Sequence, residues 1–236
     1  MLTASIICFV LTFMVLLLPN KPKKMKPHEE YEIQLELEKL NQVFNPSCQS
    51  KEWNIELLKS LEWKRFEEVC QKYISLNGDD ARLTETGADK GIDIKVYKNG
   101  EVAILIQCKA WKWKVGVKEI RELYGVMTSE EIDKGVLMTT STFSEDAINF
   151  SKKKKLMLIN GTDLINRIKK LPAETQMELL NIATKGDYTT PSCPRCDKKM
   201  IARKAKNSDS KFWGCSNFPK CRYTLKMSTN CQRHSN

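Results

Sequence analysis

The sequence predicts an α/β fold, a mixed sheet with helices on its faces, and three observations lead there. A broad apolar stripe of Ile55, Leu58, Leu61, Phe66, Val69 and Tyr73 marks a helix over about 54–76. Three short strand-like runs follow in succession, near 82–86, 92–97 and 102–109. From residue 117 onward helical and strand patterns alternate, which places helices against the sheet.

Ahead of this body, Met1 to Asn20 carries no charge and Ile6 to Leu18 is almost wholly apolar. That is just enough for a spanning helix, which needs roughly 20 residues. No Lys or Arg precedes Ile6, and "LLLPNKPKK" offers no small-x-small cleavage site. Residues 1–19 are therefore expected to be a retained transmembrane anchor rather than a signal peptide. The basic cluster of Lys21, Lys23, Lys24 and Lys26 then keeps the body of a single-pass protein in the cytoplasm. Residues 20–51 read as a basic linker and an amphipathic helix (Ile33, Leu37, Leu40, Phe44), either a short stalk or a helix lying on the main domain.

The main domain spans 52–171. "NGDD" stops its first helix, and after the three strands come a helix near 117–131 and a strand at 135–140. "STFSEDAINFSKKK" reads as a capped helix, with Ser144 the N-cap and Glu145 and Asp146 in its first turn. "LMLING" is a further strand, "TDLINRIKKL" a further helix, and 172–191 a linker helix and its exit. There is no Walker loop, dinucleotide fingerprint or internal repeat, so no nucleotide cofactor is expected.

A chain of 236 residues with 41% hydrophobic residues holds one full core and a small satellite. The net charge of +10 is uneven: residues 29–185 contribute −2 and residues 186–236 contribute +8. A basic tail on a near-neutral body either touches a polyanion or is merely solvated. Nine cysteines, an odd number without a regular framework, argue against a secreted disulfide scaffold.

The odd polar residues sit in the middle. Asp93 opens the second strand, and Gln107 and Lys109, two apart, share a face of the third. A carboxylate and an amide oxygen are hard ligands of the kind Mg²⁺ accepts. A lysine beside them can orient a water and stabilise charge on a phosphate, the equipment for metal-assisted phosphodiester hydrolysis. The plainer reading is a cross-strand Asp–Lys pair with a Gln on an exposed face. Hairpin geometry bears on the choice. A two-residue Asn99-Gly100 turn pairs Lys98 with Glu101 and puts Asp93 and Gln107 on opposite faces. A three-residue turn, Lys98-Asn99-Gly100, or an equivalent bulge elsewhere, brings them together, and that register is expected.

"EWKRFEEVC", "TGADKGIDI", "ILIQCKAW", "GVLMTTSTFSEDAINFS" and "LMLINGTDLI", in this order, resemble an Mrr-type restriction endonuclease domain of the PD-(D/E)xK nuclease superfamily. The resemblance covers about residues 52–170. It implies a restriction-endonuclease-like α-β-β-β-α-β core and a metal site at the sheet edge. It makes Asp93 the main metal ligand, Gln107 the residue standing where most relatives carry a carboxylate, Lys109 the motif lysine and Glu67 the acidic residue of the first helix. Trp63 and Phe66 match aromatic positions of that helix. Asp89 is either an outer member of the site or a turn former. Loss of one carboxylate at Gln107 shifts more of the metal's binding onto Glu67 and the DNA phosphate.

In the tail, "CPRC" at 193–196 and "CSNFPKC" at 215–221 suit a tetrahedral four-cysteine zinc site of Cys193, Cys196, Cys215 and Cys221. Residues 192–225 resemble the C-terminal zinc finger of bacterial type I topoisomerases, which implies binding to DNA, above all single-stranded. Phe212, Trp213, Phe218 and Tyr223 offer stacking faces, and Lys211, Lys220 and Arg222 are among the charges that reach phosphates. The ribbon's own core competes for one or two of these aromatics, Trp213 included. Residues 226–236 form a tail.

The reading is a membrane-anchored DNA endonuclease with catalytic Mg²⁺, structural Zn²⁺ and a zinc ribbon that holds DNA, a homodimer being among the assemblies it allows. Its rivals are a catalytically inactive, membrane-tethered DNA-binding protein and an RNA-processing nuclease.

Overall fold

In the computed structural model, residues 52–76, 78–84, 91–206 and 210–227 are described. Asn54 caps α1 (Ile55–Ser60), its side chain accepting from the N–H of Leu57. The chain turns at Leu61 and Glu62 and enters α2 (Trp63–Ser75). The apolar stripe was expected to run unbroken from 54 to 76. Neither Gly nor Pro marks the break, where Glu62 is held by a contact made far along the chain.

Five strands follow in spatial order β1 (Asp80–Leu83), β2 (Ile94–Lys98), β3 (Glu101–Lys109), β4 (Gly135–Thr139) and β5 (Leu156–Ile159). The first three are antiparallel, and β4 and β5 continue in parallel. The parallel pairs need crossovers. These are α3 (Val117–Ser129) between β3 and β4, and α4 (Glu145–Lys152) between β4 and β5. Ser144 caps α4 as its sequence promised, accepting from the N–H of Ala147. α5 (Gly161–Ile168) and α6 (Ala173–Thr184) complete this part.

Alternation along the strands sorts two cores onto the two faces of the sheet. Ile94, Val96, Ile106 and Met138 meet Leu58, Phe66, Val69, Leu164, Ile168 and Leu179 from α1, α2, α5 and α6. Leu105 and Leu137 meet Ile120, Leu123, Met127 and Ala147 from α3 and α4. Phe66 is wholly buried at the centre of the first core. The 172–185 helix expected as a linker is α6, and it contributes Leu179, Leu180 and Ala183 to that core.

The hairpin corrects the expected turn. Lys98 pairs with Glu101 across a two-residue Asn99-Gly100 turn, both residues at positive φ (54° and 87°). Asparagine tolerates that conformation and glycine favours it, so the tight turn wins locally. The register shift that was the stated alternative lies further along. Val96 pairs with Ile104 and Tyr97 with Val102, leaving Ala103 as the extra residue of a bulge.

The C-terminal module is a three-stranded antiparallel ribbon of β6 (Met200–Lys204), β7 (Lys211–Cys215) and β8 (Thr224–Lys226). The membrane-bound location is corrected: among the described residues no helix is long and apolar enough to cross a membrane. Residues 1–19, the expected anchor, the linker helix of 20–51, and Asp89 lie outside the described residues.

Candidate active site and zinc site

Asp93 immediately precedes β2, where regular alternation breaks: Ile92 packs in the second core and Ile94 in the first. Its backbone N–H donates to the Ile106 carbonyl at 3.0 Å. Its carboxylate Oδ2 accepts from the N–H of Cys108 at 2.6 Å. Strand N–H groups point along the sheet plane. Asp93 thus bonds to the backbone on both sides of Gln107, at Ile106 and at Cys108.

Glu67 reaches this point from α2, which covers the first-core face. Its carboxyl lies close to that of Asp93. Burial raises Glu67 from the ordinary value of 4.5 to about 9, helped by the negative charges of Asp93 and Glu62 and opposed by Lys109. Burial likewise raises Asp93 to about 6, opposed by the Cys108 N–H and by Lys109. Two desolvated carboxyls in contact cannot both ionise cheaply, so near neutral pH they share a proton.

Gln107 is 3% exposed. Its Nε2 donates to the Gly91 carbonyl at 2.8 Å, while its Oε1 is buried and meets no donor among the described residues. A buried acceptor without a partner costs free energy. A neutral oxygen and two carboxyls holding a proton that a cation can displace form a donor set that fits a hard divalent ion such as Mg²⁺. Lys109, half-buried at the end of β3, acts on both carboxyls, and its Nζ lies 5.6 Å from the centre of the Trp111 ring. Cys108 supplies only its backbone here. Its thiol is held well above the usual range by a hydrogen bond with Cys70 and by burial. Sequence spacing gives no signal for that N–H contact, which depends on the fold.

In the ribbon, the sulfurs of Cys193, Cys196, Cys215 and Cys221 all lie within 4.8 Å of one another. Tetrahedral zinc–thiolate bonds of about 2.3 Å place sulfurs roughly 3.8 Å apart, so the cluster fits Zn²⁺. Met200, Trp213 and Leu225 pack against the cysteines. Trp213 thus serves the ribbon's core, while Phe218 (57% exposed) and Tyr223 (38% exposed) face outward. Phe212 is half-buried, and Lys211, Lys220 and Arg222 are exposed. The Arg203 guanidinium stands 5.5 Å from the Phe218 ring centre.

The ribbon is docked on the start of α2. Glu62, buried, accepts from the N–H and the hydroxyl of Ser192, both at 2.9 Å, and from Lys199 Nζ at 3.0 Å. Trp63 Nε1 donates to the Ser192 carbonyl at 2.8 Å, and Lys64 pairs with Asp197. The aromatic Trp63 read as part of a catalytic helix is thus a docking residue.

Residues 58–168 match the family described as restriction endonuclease, and residues 191–230 match the topoisomerase DNA-binding C4 zinc finger. The type IV methyl-directed restriction enzyme EcoKMrr of Escherichia coli (strain K12) is 31% identical over 91 residues, 37% of this chain and 30% of that enzyme. DNA topoisomerase 1 of Mycoplasma genitalium is 24% identical over 110 residues, 45% of this chain and 14% of the topoisomerase. The chain spans less than a third of the length of either relative. Among solved structures, the DNA modification-dependent restriction endonuclease AspBHI superposes with a TM-score of 0.40 at 18% identity, over 56% of this chain and 39% of that one.

Proposed function

We propose that this chain, which joins a restriction-endonuclease domain to a topoisomerase-type C4 zinc ribbon, is a Mg²⁺-dependent DNA endonuclease whose ribbon holds the substrate. The observation that carries the reading is the buried Glu67–Asp93 carboxyl pair with Lys109 acting on both, on the strand pair that also holds the unpartnered Gln107 Oε1.

Asp93 and Gln107 would hold the cation, and Glu67, once ionised, would add a third oxygen ligand. When bound, the cation supplies positive charge against the scissile phosphate and eases ionisation of water. The remaining work belongs to the chain. Lys109 directs an attacking water and opposes the charge that develops on the phosphate oxygens. The Cys108 N–H fixes one Asp93 oxygen and leaves the other turned to the reaction. The ribbon, docked through Glu62, keeps its lysines and outward aromatics at a constant place relative to this centre, so that DNA spans both.

The test is plasmid cleavage by the zinc-loaded protein, with and without Mg²⁺, on DNA carrying and lacking methylation. Mg²⁺-dependent nicking or linearisation that disappears in Asp93→Ala supports the reading. A wild-type protein that cuts no DNA, modified or unmodified, ends it.

A further inference from the structure

Immediately beyond Lys109 the chain reads "AWKWK", and residues 102–118 contain four lysines and no carboxylate. This short segment is tied at both ends. The Lys109 carbonyl accepts from the Trp111 N–H (2.9 Å), the Thr140 N–H (3.2 Å) and Thr139 Oγ1 (2.7 Å), and Thr140 Oγ1 donates to the Trp111 carbonyl at 2.9 Å. On the far side Val115 is wholly buried, and its N–H donates to the Thr142 carbonyl at 2.8 Å. What is held out between these anchors is Trp113, 60% exposed, with Lys112 and Lys114 exposed on either side of it. The half-buried Trp111 ring backs it at 5.7 Å and 38°, and Lys109 Nζ faces the same Trp111 ring.

An indole left in water on an anchored segment gains nothing for the fold. A rigid aromatic face between two ammonium groups fits a nucleobase between two phosphates. We propose that Trp113, Lys112 and Lys114 form a nucleic-acid contact beside the reacting phosphate, with one unstacked base of the substrate lying on Trp113 and its flanking phosphates on the lysines. The inference rests on the endonuclease reading and adds the conformation of substrate that the site takes: DNA that is single-stranded or locally opened next to the cut.

The experiment uses the full zinc-loaded chain carrying Asp93→Asn, without added divalent metal, against a fluorescent single-stranded oligonucleotide and the matching duplex. Trp113→Ala is expected to weaken single-strand binding about tenfold, the scale of one lost stacked base, and Trp113→Phe to restore most of it. Lys112→Gln with Lys114→Gln should lower the slope of log affinity against log salt by roughly 1.4. An oligonucleotide containing 2-aminopurine should be quenched on binding, and Trp113→Ala should abolish that quench. Because Trp113 is exposed, its variants should keep the parent's thermal midpoint. Unchanged single-strand affinity in Trp113→Ala, or a loss that Phe does not restore, overturns the proposal. Failure of the endonuclease reading looks different: wild type would not cut with Mg²⁺, yet binding would still depend on Trp113.

Discussion

The Glu62 carboxylate and Ser192, 130 positions apart, are joined twice, through the N–H and the hydroxyl of the serine. Lys199 occupies the same carboxylate, so a buried charge is saturated by the ribbon alone. Glu62 is also the residue at which α2 begins, and its own N–H donates to the Tyr188 carbonyl at 2.8 Å. Glu62→Ala leaves the N–H and hydroxyl of Ser192 without an acceptor, while Lys199 Nζ keeps only the Thr190 carbonyl, and should destabilise the protein by about 2–3 kcal/mol, with Glu62→Gln losing less. Urea unfolding measures this, and an unchanged midpoint in Glu62→Ala would show that docking does not depend on the carboxylate.

Asp93→Ala and Lys109→Ala should each abolish cleavage while leaving DNA affinity largely intact, because much of the binding surface lies in the ribbon. Gln107→Glu should stay active, since it returns a carboxylate oxygen to the same place. Paired cleavage and gel-shift assays decide it. Wild-type cutting by either alanine variant would remove that residue from the site.

The carboxyl pair gives a pH dependence with a definite sign. The folded values, about 9 for Glu67 and about 6 for Asp93, lie above the ordinary 4.5 and 3.8. Stability from this pair is therefore complete below about pH 4 and is lost as pH rises, through 6 for Asp93 and through 9 for Glu67. Glu67→Gln removes the Glu67 share of that loss. Thermal midpoints from pH 5 to 9 without divalent metal should fall more steeply in wild type than in Glu67→Gln. Added Mg²⁺ should narrow the gap at alkaline pH. Parallel curves for the two proteins would contradict the shared-proton account.

Elemental analysis should find one zinc per chain, and chelation should unfold the ribbon. Replacing the exposed Lys211, Lys220 and Arg222 together with Gln should flatten the salt dependence of duplex binding by roughly 2–3 units of slope. A slope equal to that of wild type would take these three side chains off the DNA.

What the sequence made legible was local. Ser144 and the acidic turn behind it announce a helix start, and the Gln107–Lys109 spacing announces a shared face. The four ribbon cysteines announce their cluster. What it hid was decided at long range. The break at Leu61–Glu62 has no glycine or proline to mark it, and Glu62 there is held by a serine more than a hundred residues later. The Asn99-Gly100 turn is legible as a tight hairpin, but the bulge that shifts the register lies at Ala103, which looks like any other strand residue.

The Asp93 carboxylate holds two offices, its Oδ2 closing the strand pair through the Cys108 N–H and its charge acting on Glu67. Asparagine can keep the first office with its carbonyl oxygen while presenting an amide NH₂ in place of the second. The two functions of this position are therefore separable by a single atom. Asp93→Asn should retain the architecture of the strand ends and repel any cation, whereas Asp93→Ala also strands the Cys108 N–H. The difference in unfolding free energy between those two variants isolates what the structural oxygen alone is worth.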